Sequence, residues 1–147
     1  MVGDSFFVDT NVLLYALDQR AVEKAPHAAA WLRYLWESQA GRCSWQVLDE
    51  FYANAVRKVG VPATIARETV GAYAKWEPVG SSLAIVERAW YWCDTAQVTY
   101  WDGKILAAAE RLGCRWLLSE DFSEGRTYGS VTVINPFNPA DGPTGRR

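Results

Sequence analysis

Histidine occurs only once in this sequence, as His27, between Pro26 and a run of alanines. Catalysis built on a Ser-His-Asp or Cys-His constellation therefore has little support, and His27 itself reads as a surface or helix-end residue. Cysteine is also scarce. Cys43, Cys93 and Cys114 are odd in number, far apart and without a C-x-x-C pairing, so neither a disulfide framework nor a zinc site is indicated. Reduced, mostly buried thiols are expected. No uninterrupted apolar run approaches the ~18 residues of a membrane helix. No basic segment with an apolar core precedes the first strand, so the expectation is a cytoplasmic protein without a membrane partner. Neither sign of charge is in large excess. A formal net charge of -2 gives no general attraction to nucleic acid, which would need locally clustered Lys and Arg or metal ions offsetting the carboxylates.

What is present suits one domain. At 147 residues, folding buries roughly 68–70% of the unfolded chain's surface, enough for a core without staples. The chain reads as a single domain over residues 1–137, with a disordered tail over 138–147 that is rich in Pro and Gly and basic at its end. Trp31, Trp36, Trp90 and Trp116 fall within apolar patterns and read as packing residues rather than base-stacking platforms.

Phe6-Phe7-Val8 has the length and composition of a buried strand, and it stops at Asp9. Thr10 and Asn11 follow, then Val12 to Leu17 as a short helix. Pro26 suits the first turn of a second helix, with Ala29, Leu32, Leu35 and Trp36 on its apolar face and Gly41 as its end. Arg42-Cys43-Ser44 is a short strand, and Ser44 caps a helix in which Val47, Phe51 and Val56 recur beside Glu50. Gly60-Val61-Pro62 separates it from a helix over 63–76. A very short strand is expected in Glu77-Pro78-Val79-Gly80. Ser81 or Ser82 then caps a helix with Leu83, Val86, Ala89 and Trp90 inward, fading at Cys93-Asp94-Thr95. Asp102 begins another helix, which Gly113 ends. Arg115 to Ser119 is a strand closed by Glu120-Asp121, Ser123 to Gly129 a polar loop, and Val131 to Ile134 a final strand. Alternating strands and helices imply an α/β fold, a three-layer α/β/α sandwich with a mainly parallel central sheet.

In such a sheet, ligands bind outside the carboxyl ends of the strands. Asp9 and Asp121 each follow a strand, Asp102 starts a helix, and Glu50 lies among apolar helix residues. Each also has a plainer role, as a helix cap, first-turn helix acid, loop acid or solvated helix residue. If all four converge, their mutual repulsion calls for a counter-charge. Mg²⁺ is the natural one, with Mn²⁺ as the alternative, because hard cations take oxygen ligands and retain waters. Such an ion lowers the pKa of a water, orients it towards a phosphodiester and stabilises developing charge.

Val8-Asp9-Thr10-Asn11, the segment from Ser44 through Val47 to Glu50-Phe51, Trp101-Asp102 with Ile105-Leu106-Ala107-Ala108-Ala109, and Leu118-Ser119-Glu120-Asp121-Phe122 with Gly125 together resemble the ordered motifs of PIN-domain ribonucleases. The compact length and the closing Val131-Thr132-Val133-Ile134-Asn135-Pro136-Phe137 narrow the resemblance to VapC-type toxins of toxin–antitoxin pairs. The resemblance implies a metal-dependent endoribonuclease that leaves a 5′-phosphate and a 3′-hydroxyl. It implies Asp9, Asp102 and Asp121 as metal-coordinating acids, with Glu50 joining through metal or water, and Thr10, Asn11 and Ser119 as supporting residues. It also implies an RNA substrate, a cognate antitoxin and a homodimer, with the helix pair from Trp45 to Trp76 as a contact surface.

Two departures from the pattern stand out. Gly103-Lys104 follows Asp102 where small or apolar residues are usual, which could bring a cation near the phosphate, and Glu120 competes with the preferred Asp121 as the last acid. Two other readings are open. One is a PIN-like scaffold that binds RNA or protein without cutting. The other is an aspartyl-phosphate enzyme, which would want a second Asp near Asp9 and a strand-end lysine that the sequence does not offer.

Overall fold

The computed structural model describes residues 3–143. The first strand, β1 (Phe6–Val8), lies at the middle of the parallel part of a sheet, between β2 (Gly41–Arg42) and β3 (Trp116–Leu118). Beyond β3 come β5 (Val131–Ile134), also parallel, and β4 (Thr127–Tyr128), antiparallel to β5, so the order is β2-β1-β3-β5-β4. Successive strand residues point to opposite faces. Phe6, Phe7 and Val8 are all buried, as are Leu117 and Leu118, so both faces of the sheet are covered, as a parallel sheet requires. The cover comes from α1 (Thr10–Leu17), α2 (Lys24–Ser38), α3 (Trp45–Asn54), α4 (Ala63–Tyr73), α5 (Leu83–Ala96) and α6 (Tyr100–Arg111). None of these helices is long and apolar enough to cross a membrane.

Side-chain caps set several helix starts. Ser44 Oγ accepts from Val47 N at 3.3 Å, Ser82 Oγ from Ile85 N at 3.3 Å, and Thr99 Oγ1 from Asp102 N at 3.1 Å. The Thr99 bond fixes Asp102 in the first turn of α6. The expected short strand near Val79 is a single parallel bridge to Ser44.

Several local expectations are corrected. α2 ends at Ser38, where Gln39 takes a left-handed φ of 58°, and not at Gly41. Gly41 lies instead in β2, under the ring of Trp76, which occupies the space a β-carbon would need. α3 continues through a π turn, Ala55–Val59, before Gly60 ends it. α5 runs on through Cys93-Asp94-Thr95 to Ala96, and its buried stripe is Ile85, Ala89, Trp92 and Ala96. Of the face expected to point inward, Leu83 and Trp90 are 69% and 53% exposed. Trp36 is partly exposed but packs against Tyr73 and Trp76. The polar loop after Ser123 contains β4. Beyond residue 137, Pro139–Asp141 forms a 3-10 turn, and residues 144–147 of the expected tail lie outside the described residues.

The alanine at position 89 in the buried stripe of α5 is set by how near α6 lies. A β-carbon at Gly103 would come within 2.7 Å of the Ala89 carbonyl oxygen, a backbone atom with little room to move. Glu110 fastens the other end of the pair, accepting from Arg88 Nη2 at 2.9 Å and Trp92 Nε1 at 2.7 Å. Gly103→Ala is expected to cost about 1–3 kcal/mol through overpacking, only partly offset by the ~1 kcal/mol helix preference of alanine. Urea denaturation measures the difference. Because Gly103 adjoins Asp102, the same change should displace that carboxylate.

Candidate active site

The register of the central strands builds the site. Val8 pairs with Leu118, so the residues that follow, Asp9 and Ser119, leave the sheet side by side. Asp9 N donates to Leu118 O at 3.0 Å. The Ser119 hydroxyl donates to Asp9 Oδ2 at 2.7 Å, while Thr10 N donates to Oδ1 at 2.7 Å. Asp9 is thus both the cap of α1 and a carboxylate at the sheet edge.

The other acids are held by the same small polar residues. Ser119 Oγ accepts from Asp121 N at 3.0 Å, and Asn11 Nδ2 donates to Asp121 Oδ2 at 3.1 Å. Thr10 Oγ1 donates to Glu50 Oε1 at 3.1 Å, bringing α3 to the start of α1. Asp9, Glu50, Asp102 and Asp121 all line one cavity of about 230 Å³, together with Thr10 and Asn11. Ser119 stands behind them, fully buried. Among the described residues no three His, Cys, Asp or Glu side chains stand close enough together to hold a metal ion as they are placed; the acids border an open notch and would have to draw inward around a cation.

Electrostatics at the notch are one-sided. Burial pushes the Asp9 carboxyl up to about 7, against the lowering effect of its bonds from Ser119 and Thr10, and the charges of Asp121 and Asp102 push it the same way. Asp102 is raised too, first by burial, then by the charge of Asp121 and more weakly by Glu50. Among the described residues no Lys or Arg lines the cavity. Asn11 Oδ1 is buried without a hydrogen-bond partner, an oxygen acceptor beside the carboxylates whose desolvation is uncompensated. The side chains that could hold a cation are therefore Asp9, Asp102 and Asp121, with Glu50 beside them.

The two departures in the motifs resolve differently from one another. Lys24 Nζ binds Glu120 Oε2 at 2.7 Å and lies 4.7 Å from the ring centre of Tyr15, drawing Glu120 away, and Asp121 is the acid that lines the notch. Lys104 does not line the acid notch. Two residues along α6 from Asp102, it faces the adjoining cleft. Gln46 and Asn54, which the motifs do not single out, also line the acid cavity, as does Trp101, which the motifs place beside Asp102 without a role. Gln46 precedes Glu50 by one helical turn, so the i, i+4 spacing carried the signal. Its Nε2 donates to Trp101 O at 3.3 Å, joining α3 to the first turn of α6.

A family model described as PIN domain matches residues 6–124. No curated protein matches the chain significantly. Among solved structures, a toxin–antitoxin complex from Klebsiella pneumoniae includes a chain that superposes with a TM-score of 0.66 at 19% identity, over 90% of this chain and 98% of that one. VapC20 of Mycobacterium tuberculosis, a toxin that cleaves the sarcin–ricin loop, superposes with a TM-score of 0.56 at 20% identity, over 80% of this chain and 92% of its own. At these identities the superpositions show a shared fold.

Proposed function

The chain belongs to the PIN-domain family, and on that premise we propose that it is a metal-dependent endoribonuclease, the VapC-like toxin of a toxin–antitoxin pair, acting in the cytoplasm. The observation that carries the proposal is the meeting of Asp9, Glu50, Asp102 and Asp121 on one cavity that no basic side chain lines among the described residues. Support for the toxin assignment comes from the shared fold with the Klebsiella and Mycobacterium structures.

The donor chemistry fits a hard divalent cation, Mg²⁺ or Mn²⁺: carboxylates, an orphaned amide oxygen at Asn11, and no thiol or imidazole. A cation held by Asp9, Asp102 and Asp121, with Glu50, supplies polarisation of an attacking water and compensation of charge developing on the phosphate. The chain's own residues set the geometry. Ser119 and Thr10 fix both oxygens of Asp9, Asn11 orients Asp121, and Thr10 orients Glu50. Water attack on phosphorus with departure of the 3′ oxygen leaves a 5′-phosphate and a 3′-hydroxyl.

The proposal includes a cognate antitoxin and a homodimer. The surface we assign to protein contact is the cleft of about 420 Å³ between α3 and α4, lined by Trp45, Leu48, Tyr52 and Val70.

Purified protein freed of any partner, incubated with structured RNAs, is expected to cut internally with Mg²⁺ or Mn²⁺ and not in EDTA. Undiminished cleavage in EDTA, or 2′,3′-cyclic phosphate ends, would refute the mechanism.

A further inference from the structure

We propose that the cleft next to the acid notch is a nucleotide subsite, where one base of single-stranded RNA stacks on the Trp101 indole and Lys104 meets a neighbouring phosphate. The inference rests on RNA being the ligand of the notch, and it identifies residues that hold the strand.

The cleft has a volume of about 520 Å³, within the range of small-molecule sites. It adjoins the notch, with Gln46, Glu50 and Trp101 lining both cavities. A strand whose phosphate lies at the acids can reach Trp101 with the next nucleotide. That indole is 58% exposed although it sits in the first turn of α6, where the Gln46 bond to its carbonyl holds the backbone.

The cleft carries two carboxylates, Asp49 and Glu50, and one cation, Lys104, so its lining is polar and the lysine is the point at which a phosphate can be met. Lys104 is the only Lys or Arg among the described residues that line either cavity, and no carboxylate pairs with it there. Its ammonium lies over the Trp101 ring, 5.7 Å from the ring centre, so the lysine covers one face of the indole and leaves the other for a base. The carboxylate of Asp49 on the cleft can accept from the exocyclic amino group of a base. Aromatic face, cation and acceptors match base, phosphate and amino group, the elements by which single strands are held.

The test uses the full chain with Asp9→Asn, so that RNA is bound and not cut, and a short fluorescein-labelled single-stranded oligoribonucleotide of mixed sequence, read by anisotropy across a salt series. Adding Trp101→Ala should weaken binding about 5- to 150-fold, the span for losing one base–aromatic stack, whereas Trp101→Phe should keep most of the affinity. Lys104→Gln should reduce the slope of log affinity against log salt by about 0.7, one phosphate contact on a single strand. Unchanged affinity with Trp101→Ala, or an unchanged salt slope with Lys104→Gln, overturns the subsite. If Trp101→Ala leaves RNA affinity intact but breaks association with a co-encoded partner protein, the cleft belongs to protein instead. Cleavage by the unsubstituted chain is measured in parallel. Metal-dependent cutting with unchanged RNA binding in the Trp101→Ala variant sinks the subsite alone, and Trp101-dependent binding without cutting sinks the nuclease alone.

Discussion

Asp9→Asn is expected to lower RNA cleavage by more than about 100-fold, beyond the 10- to 100-fold typical of residues that only orient a metal ligand. Asparagine keeps the shape of the side chain at a 4% exposed position but removes its charge. One oxygen can still accept from Thr10 N or Ser119, so the sheet edge keeps part of its hydrogen bonding. What disappears is an anionic oxygen donor at the place where the two central strands open. Ser119, which also accepts from Asp121 N, remains to hold the last acid. Cleavage of a labelled RNA by the variant checks this, with circular dichroism confirming the fold. Activity within a few-fold of the unsubstituted chain would remove Asp9 from the chemistry.

The second large effect is on stability, and it follows from the same carboxyl. In the cation-free protein Asp9 titrates near 7, raised from 3.8 by burial and by Asp121 and Asp102. A group whose folded pKa is raised binds its proton more tightly in the folded state. Its contribution is fully present below about pH 4 and is lost as pH rises towards 7. A rise of that size corresponds to at most about 4 kcal/mol across the window, at ~1.4 kcal/mol per pH unit. Asp102, raised for the same reasons, acts in the same direction. Urea unfolding in EDTA at pH 5 and pH 7.5 should show the unsubstituted chain losing stability relative to Asp9→Asn, which becomes the more stable of the two at the higher pH. Parallel pH dependence in both proteins would show that Asp9 is not the strained group. A stabilising substitution that removes activity is the expected mark of a site built for function at the expense of folding.

Why some of this was legible in the sequence and some was not has physical causes. Asp9 was readable because β1 is a short apolar run that ends abruptly in a carboxylate, and Asp121 because β3 repeats the pattern, offset by the intervening Ser119 and Glu120. Parallel pairing of Val8 with Leu118 then places the two ends together. Cap or site was a false choice for Asp9, since Thr10 N takes one oxygen while the other faces Ser119. The choice between Glu120 and Asp121 depended on Lys24, almost a hundred residues away, and no local pattern carries such a pairing. Of the inner face expected for α5, Leu83, Val86, Ala89 and Trp90, only Ala89 is fully buried, because an apolar stripe through Leu83 and Trp90 is as plausible in sequence as the one through Ile85 and Trp92. Only the near approach of Gly103 to Ala89 selects the narrow stripe and leaves Trp90 outside. The direction of Lys104 was equally hidden, because a two-residue step on a helix turns the side chain well away from Asp102. Trp101 could be placed beside an acid from sequence, but its exposure depends on how α3 and α6 leave a cleft between them.

The central claim is that Asp9, Glu50, Asp102 and Asp121 act together as one cation-holding site. Calorimetric titration of Mn²⁺ near pH 6.5, in buffers of differing ionisation enthalpy, tests it most directly. The unsubstituted chain is expected to bind with release of a proton, because Asp9 is largely protonated there before the cation arrives. Asp9→Asn should bind more weakly and release none, and Asp121→Asn, Asp102→Asn and Glu50→Gln should each weaken binding. Absence of Mn²⁺ binding by the unsubstituted chain, or equal binding by Asp9→Asn and Asp121→Asn, would contradict the claim.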